Sequence, residues 1–113
     1  MSVVKWRDLV ISKNMKVADS FFDRLIGLMF KSSMGDKDSL LIKKCNSIHT
    51  FFMKYSIDVV FLNKEYLVVK AFYDVKPWRM TRMVFGATQV LEMRAGDLPR
   101  DLSVGDRLII CTN

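Results

Sequence analysis

Cysteine is scarce in this chain. Two among 113 residues, Cys45 and Cys111, are too few for a scaffold held by disulfides. Each lies in an apolar, strand-like run, where a reduced cysteine packs as a small hydrophobe. Histidine is scarcer still: His49 stands alone, and with no paired Cys/His spacing no metal site is expected. The five glycines, at 27, 35, 86, 96 and 105, are isolated from one another. They make no glycine-rich phosphate cradle or dinucleotide fingerprint, and no cofactor is expected. Only two prolines occur, Pro77 and Pro99, and both mark connections. No stretch of about 18 apolar residues is present, which excludes a membrane-spanning helix. Lys5, Arg7 and Asp8 interrupt the apolar start, so residues 1–11 do not read as a signal peptide, and a cytoplasmic location is the expectation. Repeats, low-complexity tracts and linkers are also missing, so residues 1–113 are expected to form a single domain.

What the chain does contain suits a globular fold. Half its residues are hydrophobic and 27% are charged, and a chain of this size buries roughly two thirds of its unfolded surface. Net charge is +6, from 18 Lys and Arg against 12 Asp and Glu. The basic residues are mostly scattered. Lys76, Arg79 and Arg82 form the densest acid-free group, interleaved with Pro77, Trp78 and Met80. This reads first as a solvated loop. Its sharper reading is a phosphate-contacting loop with Trp78 as a stacking platform, and nucleic acid is the weaker expectation.

One segment carries helix signals. Ser20 can cap, Asp23 suits the positive end of the helix dipole, and Phe22, Leu25, Ile26 and Met29 recur at helical period. Gly27 offers an early stop, which predicts a short helix over 19–28. Most of the remainder is β-favouring. Residues 57–62 and 66–73, separated by Asn63-Lys64-Glu65, predict a hairpin. Residues 47–53, 89–94 and 107–111 predict three more strands, with Gly96-Asp97 and Gly105-Asp106 as turns. The expected fold is mainly β, α+β at the margin. It is a small compact barrel or sandwich of antiparallel strands with one short N-terminal helix.

Four local patterns occur in an order that resembles a known family. Arg24-Leu25-Ile26-Gly27-Leu28-Met29 resembles an R-x-x-G-L-M element, and Phe52-Met53 followed by Ile57-Asp58-Val59-Val60-Phe61 resembles an aromatic-Met element before a hydrophobic-Asp strand. Val90-Leu91-Glu92-Met93-Arg94-Ala95-Gly96 is similar to a V-L-E-x-x-A-G element, and Gly105-Asp106 to a closing G-D turn. Together they resemble domain-of-unknown-function family 192 over residues 24–106. The resemblance implies a small β-rich domain and no established activity. Many relatives carry an export signal; this chain does not begin with one, so their location is not carried over.

Asp58 and Glu92 fit a simple core poorly, because each interrupts an apolar strand and an ionised carboxylate is costly to bury unpaired. Three readings stand side by side. Both acids point to solvent; or one pairs with Arg24 and fixes the helix to the sheet; or both line a pocket for a polar ligand. Paired-carboxylate hydrolysis is a narrower form of the third, requiring carboxylates ~5 to 10 Å apart. His49 is a structural residue or a proton-transfer group, and Met53, beside it, joins Arg24, Asp58 and Glu92 among the ligand-binding candidates. Phe51, Phe52, Met53 and Trp78 pack inside or form a sticky surface. No local motif marks an activated nucleophile. The leading expectation is a noncatalytic accessory domain recognising a small polar ligand or a protein partner. A small hydrolase-type enzyme using Asp58 or Glu92 with His49 is the alternative, and nucleic-acid association through Lys76, Trp78, Arg79 and Arg82 is weaker.

Overall fold

Helix signals and strand signals meet early in the chain. The computed structural model describes residues 2–29 and 31–112, with Phe21, Phe22 and Leu25 described by their backbone alone. Helix α1 spans Phe21–Ile26; the Ser20 side chain caps it by accepting the Asp23 N–H. Gly27 ends it at φ +52°, a conformation that side chains rarely adopt, donating its N–H to the Asp23 carbonyl. That exit shortens the expected segment. Of the apolar stripe, the side chains of Phe22 and Leu25 lie outside the described residues, while Ile26 and Met29 are half-buried.

The described residues form eight strands: β1 Ser2–Trp6, β2 Leu9–Ser12, β3 Met15–Ala18, β4 Ser39–Lys43, β5 Ile57–Leu62, β6 Val68–Val75, β7 Gln89–Arg94 and β8 Leu108–Thr112. They form a three-stranded sheet, ordered β2-β1-β8, and a five-stranded sheet, ordered β3-β4-β7-β5-β6. All pairings are antiparallel except β3 with β4. The mainly β, largely antiparallel fold agrees with the expectation, and β3 with β4 adds one parallel pair to it. A parallel pair needs a long crossover, and the segment carrying α1 supplies it.

The hydrophobic pattern follows from this layering. Leu41, Val60, Leu62, Leu91 and Met93 pack from one face of the larger sheet against Val4, Trp6 and Leu108 of the smaller. From the opposite face, Leu40, Ile57, Val59, Phe61 and Val90 pack under Leu28, Met34, Ile48 and Met53. All six residues of β5 are therefore buried, as are five of the six in β7. Strands covered on both faces read as continuous apolar runs without alternation.

Residues 47–53 form no strand. Phe52 adopts φ +64° and the Met53 N–H turns back to the Thr50 carbonyl, so the segment is a loop with one bridge, His49 to Met80. The β5–β6 hairpin forms, but Tyr66 at φ +63° delays its second strand to Val68. Cys45 and Cys111 are both free; Cys45 is half-buried, whereas Cys111 is exposed on the outer strand β8 rather than in the core.

Candidate functional site

Strand alternation decides the fate of the two acids. In register, Glu92 lies opposite Val59 on one side and Leu40 on the other, while Asp58 lies opposite Met93. Glu92 therefore shares the face of Val59 and Val90, and Asp58 the opposite face with Val60 and Met93. One sheet separates the two carboxyl groups. Neither points to solvent, with exposures of 3% for Glu92 and 0% for Asp58.

Asp58 is held by backbone donors. Its Oδ1 accepts the Asp74 N–H at 2.8 Å, and its Oδ2 accepts those of Gly96 at 2.9 Å and Leu98 at 3.2 Å. The carboxylate thus ties β5 to β6 and to the turn after β7. Those bonds compensate its burial.

Glu92 has no such partner. Burial alone pushes its carboxyl up to about 8, with no hydrogen bond or ion pair opposing the shift. Near neutral pH it is mostly a protonated carboxylic acid, able both to donate and to accept. It lines a cleft of about 60 Å³, with room for a few waters. Apolar walls come from Ile26, Met29, Ile42 and Met53, and polar groups from Arg24, Cys45 and His49.

Each polar neighbour is placed by local structure. Arg24 sits in the last turn of α1, half-buried, with Nη1 donating to the Asp19 carbonyl at 2.8 Å. It pairs with neither acid, so the reading in which an ion pair fixes the helix gives way. His49 stacks on Phe51 with centroids 5.1 Å apart, and its Nδ1 accepts the Phe51 N–H at 3.2 Å, leaving Nε2 as the ring's donor. The Cys45 thiol donates to the Ser47 carbonyl at 2.9 Å; burial, and secondarily the Glu92 charge, push it up from its ordinary value. It therefore stays a thiol at neutral pH, a poor nucleophile. Beside this group, the Tyr55 hydroxyl is buried without a hydrogen-bond partner, and burial followed by the Glu92 charge pushes it up to about 12.

Arg24, His49, Met53 and Glu92 thus line one cleft, and Asp58 lies on the far side of the sheet. Sequence reasoning placed Cys45 in the core and passed over Tyr55. The signal available for both was their position at the ends of the loop that carries His49. Among the described residues, no group of three or more His, Cys, Asp or Glu side chains could hold a metal ion.

Thr50 pins that loop. Buried completely, its Oγ1 donates to the Lys76 carbonyl at 2.6 Å and accepts the Arg79 N–H at 2.8 Å, while its N–H donates to the Arg79 carbonyl. Replacing Thr50 by Val keeps the shape and removes the hydroxyl, stranding the Arg79 N–H. The expected loss is about 1 to 3 kcal/mol in urea unfolding, with faster amide exchange at Trp78 and Arg79. Unchanged exchange at both amides would show that the hydroxyl does not fasten the two loops. Lys76, Trp78, Arg79 and Arg82 are all exposed on the loop after β6, and none of them lines the Glu92 cleft.

Comparison with known proteins places these features in a wider group. The family described as DUF192, Uncharacterized ACR, matches residues 4–110. A UPF0127 protein of Pyrococcus horikoshii is 39% identical over 83 residues, covering 71% of each chain. Another, from Pyrococcus furiosus, is 32% identical over 112 residues, covering 96% of this chain and 94% of its own. The crystal structure of a protein of unknown function from Novosphingobium aromaticivorans superposes with a TM-score of 0.79 at 16% identity, covering 96% of this chain and 82% of that one. At that identity the likeness shows the fold alone. No helix among the described residues is long and apolar enough to cross a membrane.

Proposed function

The chain belongs to DUF192, an uncharacterised family, and from that premise we propose that it is a noncatalytic binding domain whose recognition site is the Glu92 cleft. One observation carries this reading: a carboxyl only 3% exposed, with no hydrogen-bond partner, lines a cleft that opens beside a cation and an imidazole. An unsatisfied buried polar group costs about 1 to 3 kcal/mol, and a ligand that supplies the missing hydrogen bonds recovers that cost on binding. The small volume suits the end of a ligand rather than a whole metabolite. A hydroxyl, amide or amine tip, free or on a partner protein, matches a neutral carboxylic acid that donates and accepts. Arg24 at the rim suits an adjoining acceptor.

A fragment screen by amide chemical shift tests it, using acetamide, methylammonium and acetate as probes. Shifts are expected at Gly27, Cys45 and His49, weakened at least tenfold in Glu92→Leu. If none of the probes moves these amides, the cleft is not a recognition site. The hydrolase alternative rests on the raised Glu92 carboxyl, which suits a general acid near neutral pH. Its paired-carboxylate form has no support, because Asp58 faces away. Turnover of an ester or glycoside panel, abolished by Glu92→Gln, would replace binding by catalysis.

A further inference from the structure

The loop after β6 presents an unusual surface. Trp78, Met80, Met83 and Phe85 are 56, 70, 60 and 87% exposed within eight residues. Large apolar side chains can be exposed singly without meaning, but four on one short loop form a patch of the kind that is covered in use. They cannot fold inward, because the backbone behind them is tied down. The Thr81 N–H donates to the Ile48 carbonyl at 2.9 Å, the Val84 N–H to the Asn46 carbonyl at 2.8 Å, and the Thr50 N–H to the Arg79 carbonyl at 2.7 Å.

Charge identifies what covers them. Between Asp74 and Glu92 the chain has no acidic residue, and Lys76, Arg79 and Arg82 alternate with the apolar positions. Lys76 pairs with Asp74; Arg79 and Arg82 are exposed and make no ion pair among the described residues. We infer that this loop docks onto an anionic membrane surface, with Trp78, Met80, Met83 and Phe85 entering the interfacial layer and Arg79 and Arg82 meeting lipid phosphates. Met80, Met83 and Phe85 line an open groove of about 560 Å³ with Phe72 and Val75, and a fluid layer can fill that hollow as well as surround the exposed tips. Nucleic acid uses the cations and one stacking ring, which leaves Met80, Met83 and Phe85 without a role, whereas the exposed edge of Trp78, backed by Phe51 and Phe52, suits an interfacial layer. This inference is independent of the Glu92 cleft.

Sedimentation with large vesicles tests it at low salt. The protein is expected to pellet with equal parts phosphatidylglycerol and phosphatidylcholine and not with phosphatidylcholine alone. Tryptophan emission should shift to the blue through Trp78, because Trp6 is buried and hydrogen-bonded to Asp106. Exposed positions tolerate substitution, so the variants keep the fold. Arg79→Ser with Arg82→Ser lowers partitioning by about fivefold per cation, and Met83→Ser with Phe85→Ser lowers it by roughly tenfold. Three results overturn the inference: no pelleting with anionic vesicles, binding indifferent to the Met83 and Phe85 pair, or binding to a single-stranded oligonucleotide in place of vesicles.

Discussion

Replacing Glu92 by Gln is expected to stabilise the protein, and to do so increasingly as the pH rises from 5 to 8. The folded carboxyl titrates at about 8 against 4.5 when unperturbed. Below pH 4.5 it is protonated in both the folded and unfolded chain and contributes nothing to the pH dependence. Between the two values the unfolded chain ionises and the folded chain holds its proton, so unfolding releases a proton and stability falls as pH rises. Above pH 8 both forms are ionised and the loss levels off at roughly 5 kcal/mol, with about 3 kcal/mol already lost at pH 7. Gln cannot ionise, keeps the shape, and should raise the thermal midpoint by about 10 °C at pH 7 and by little at pH 4.5. Melting curves of both proteins from pH 4.5 to 9 measure the effect. Parallel curves would mean that water or an unrecognised donor solvates the carboxylate, and the recognition site would then lack its unmet group. Natural domains keep such costs where a site needs them, and the same curves also report binding: a ligand held by the protonated Glu92 should stabilise most at low pH and steepen the wild-type profile, whereas one that donates to the carboxylate should flatten it.

The other acid has the opposite expectation. Asp58→Ala removes the acceptor for three backbone N–H groups at 2.8, 2.9 and 3.2 Å inside a buried junction. The expected loss is about 4 kcal/mol or more, a large share of the stability of a domain this size. Asp58→Asn is the informative partner variant, because an amide keeps one oxygen but turns an NH2 toward the remaining donors. It should lose roughly 2 kcal/mol and remain folded, with amide exchange accelerated at either Asp74 or the Gly96 and Leu98 pair. Urea unfolding of Asp58→Asn with less than about 1 kcal/mol lost would show that these N–H groups find other acceptors. Two acids that interrupt apolar strands in the same way thus differ in kind: one is fully hydrogen-bonded and holds the fold together, the other is unmet and opens on a cleft.

Several of these distinctions were partly legible in the residues. The run 89–94 and the run 57–62 declare strands because β-branched and aromatic side chains dominate them, and Ser20, Asp23 and Gly27 carry the cap chemistry of α1. The first four strands declare themselves less. β1 to β4 are four or five residues long, and two of them, β2 and β3, are only partly covered, so their periodicity is too short to stand out. Residues 47–53 mislead for the converse reason. Their composition is β-favouring, but Thr50 turns its hydroxyl to the neighbouring loop and Phe52 takes a left-handed conformation.

By itself the amino-acid order determined the β-rich class, the absence of a disulfide framework, the family pattern, and the fact that carboxyl groups at 58 and 92 demand explanation. Those properties follow from side-chain chemistry and short-range spacing, which a linear chain displays directly. Which acid is satisfied and which is not, and which other residues surround Glu92, depended on the tertiary structure. Register between β5 and β7 sends positions 58 and 92 to opposite faces, and the loop after β4, pinned through Thr50, brings Cys45 and His49 to the Glu92 side. Such meetings depend on pairing between segments tens of residues apart, and no local pattern encodes the distance across a sheet.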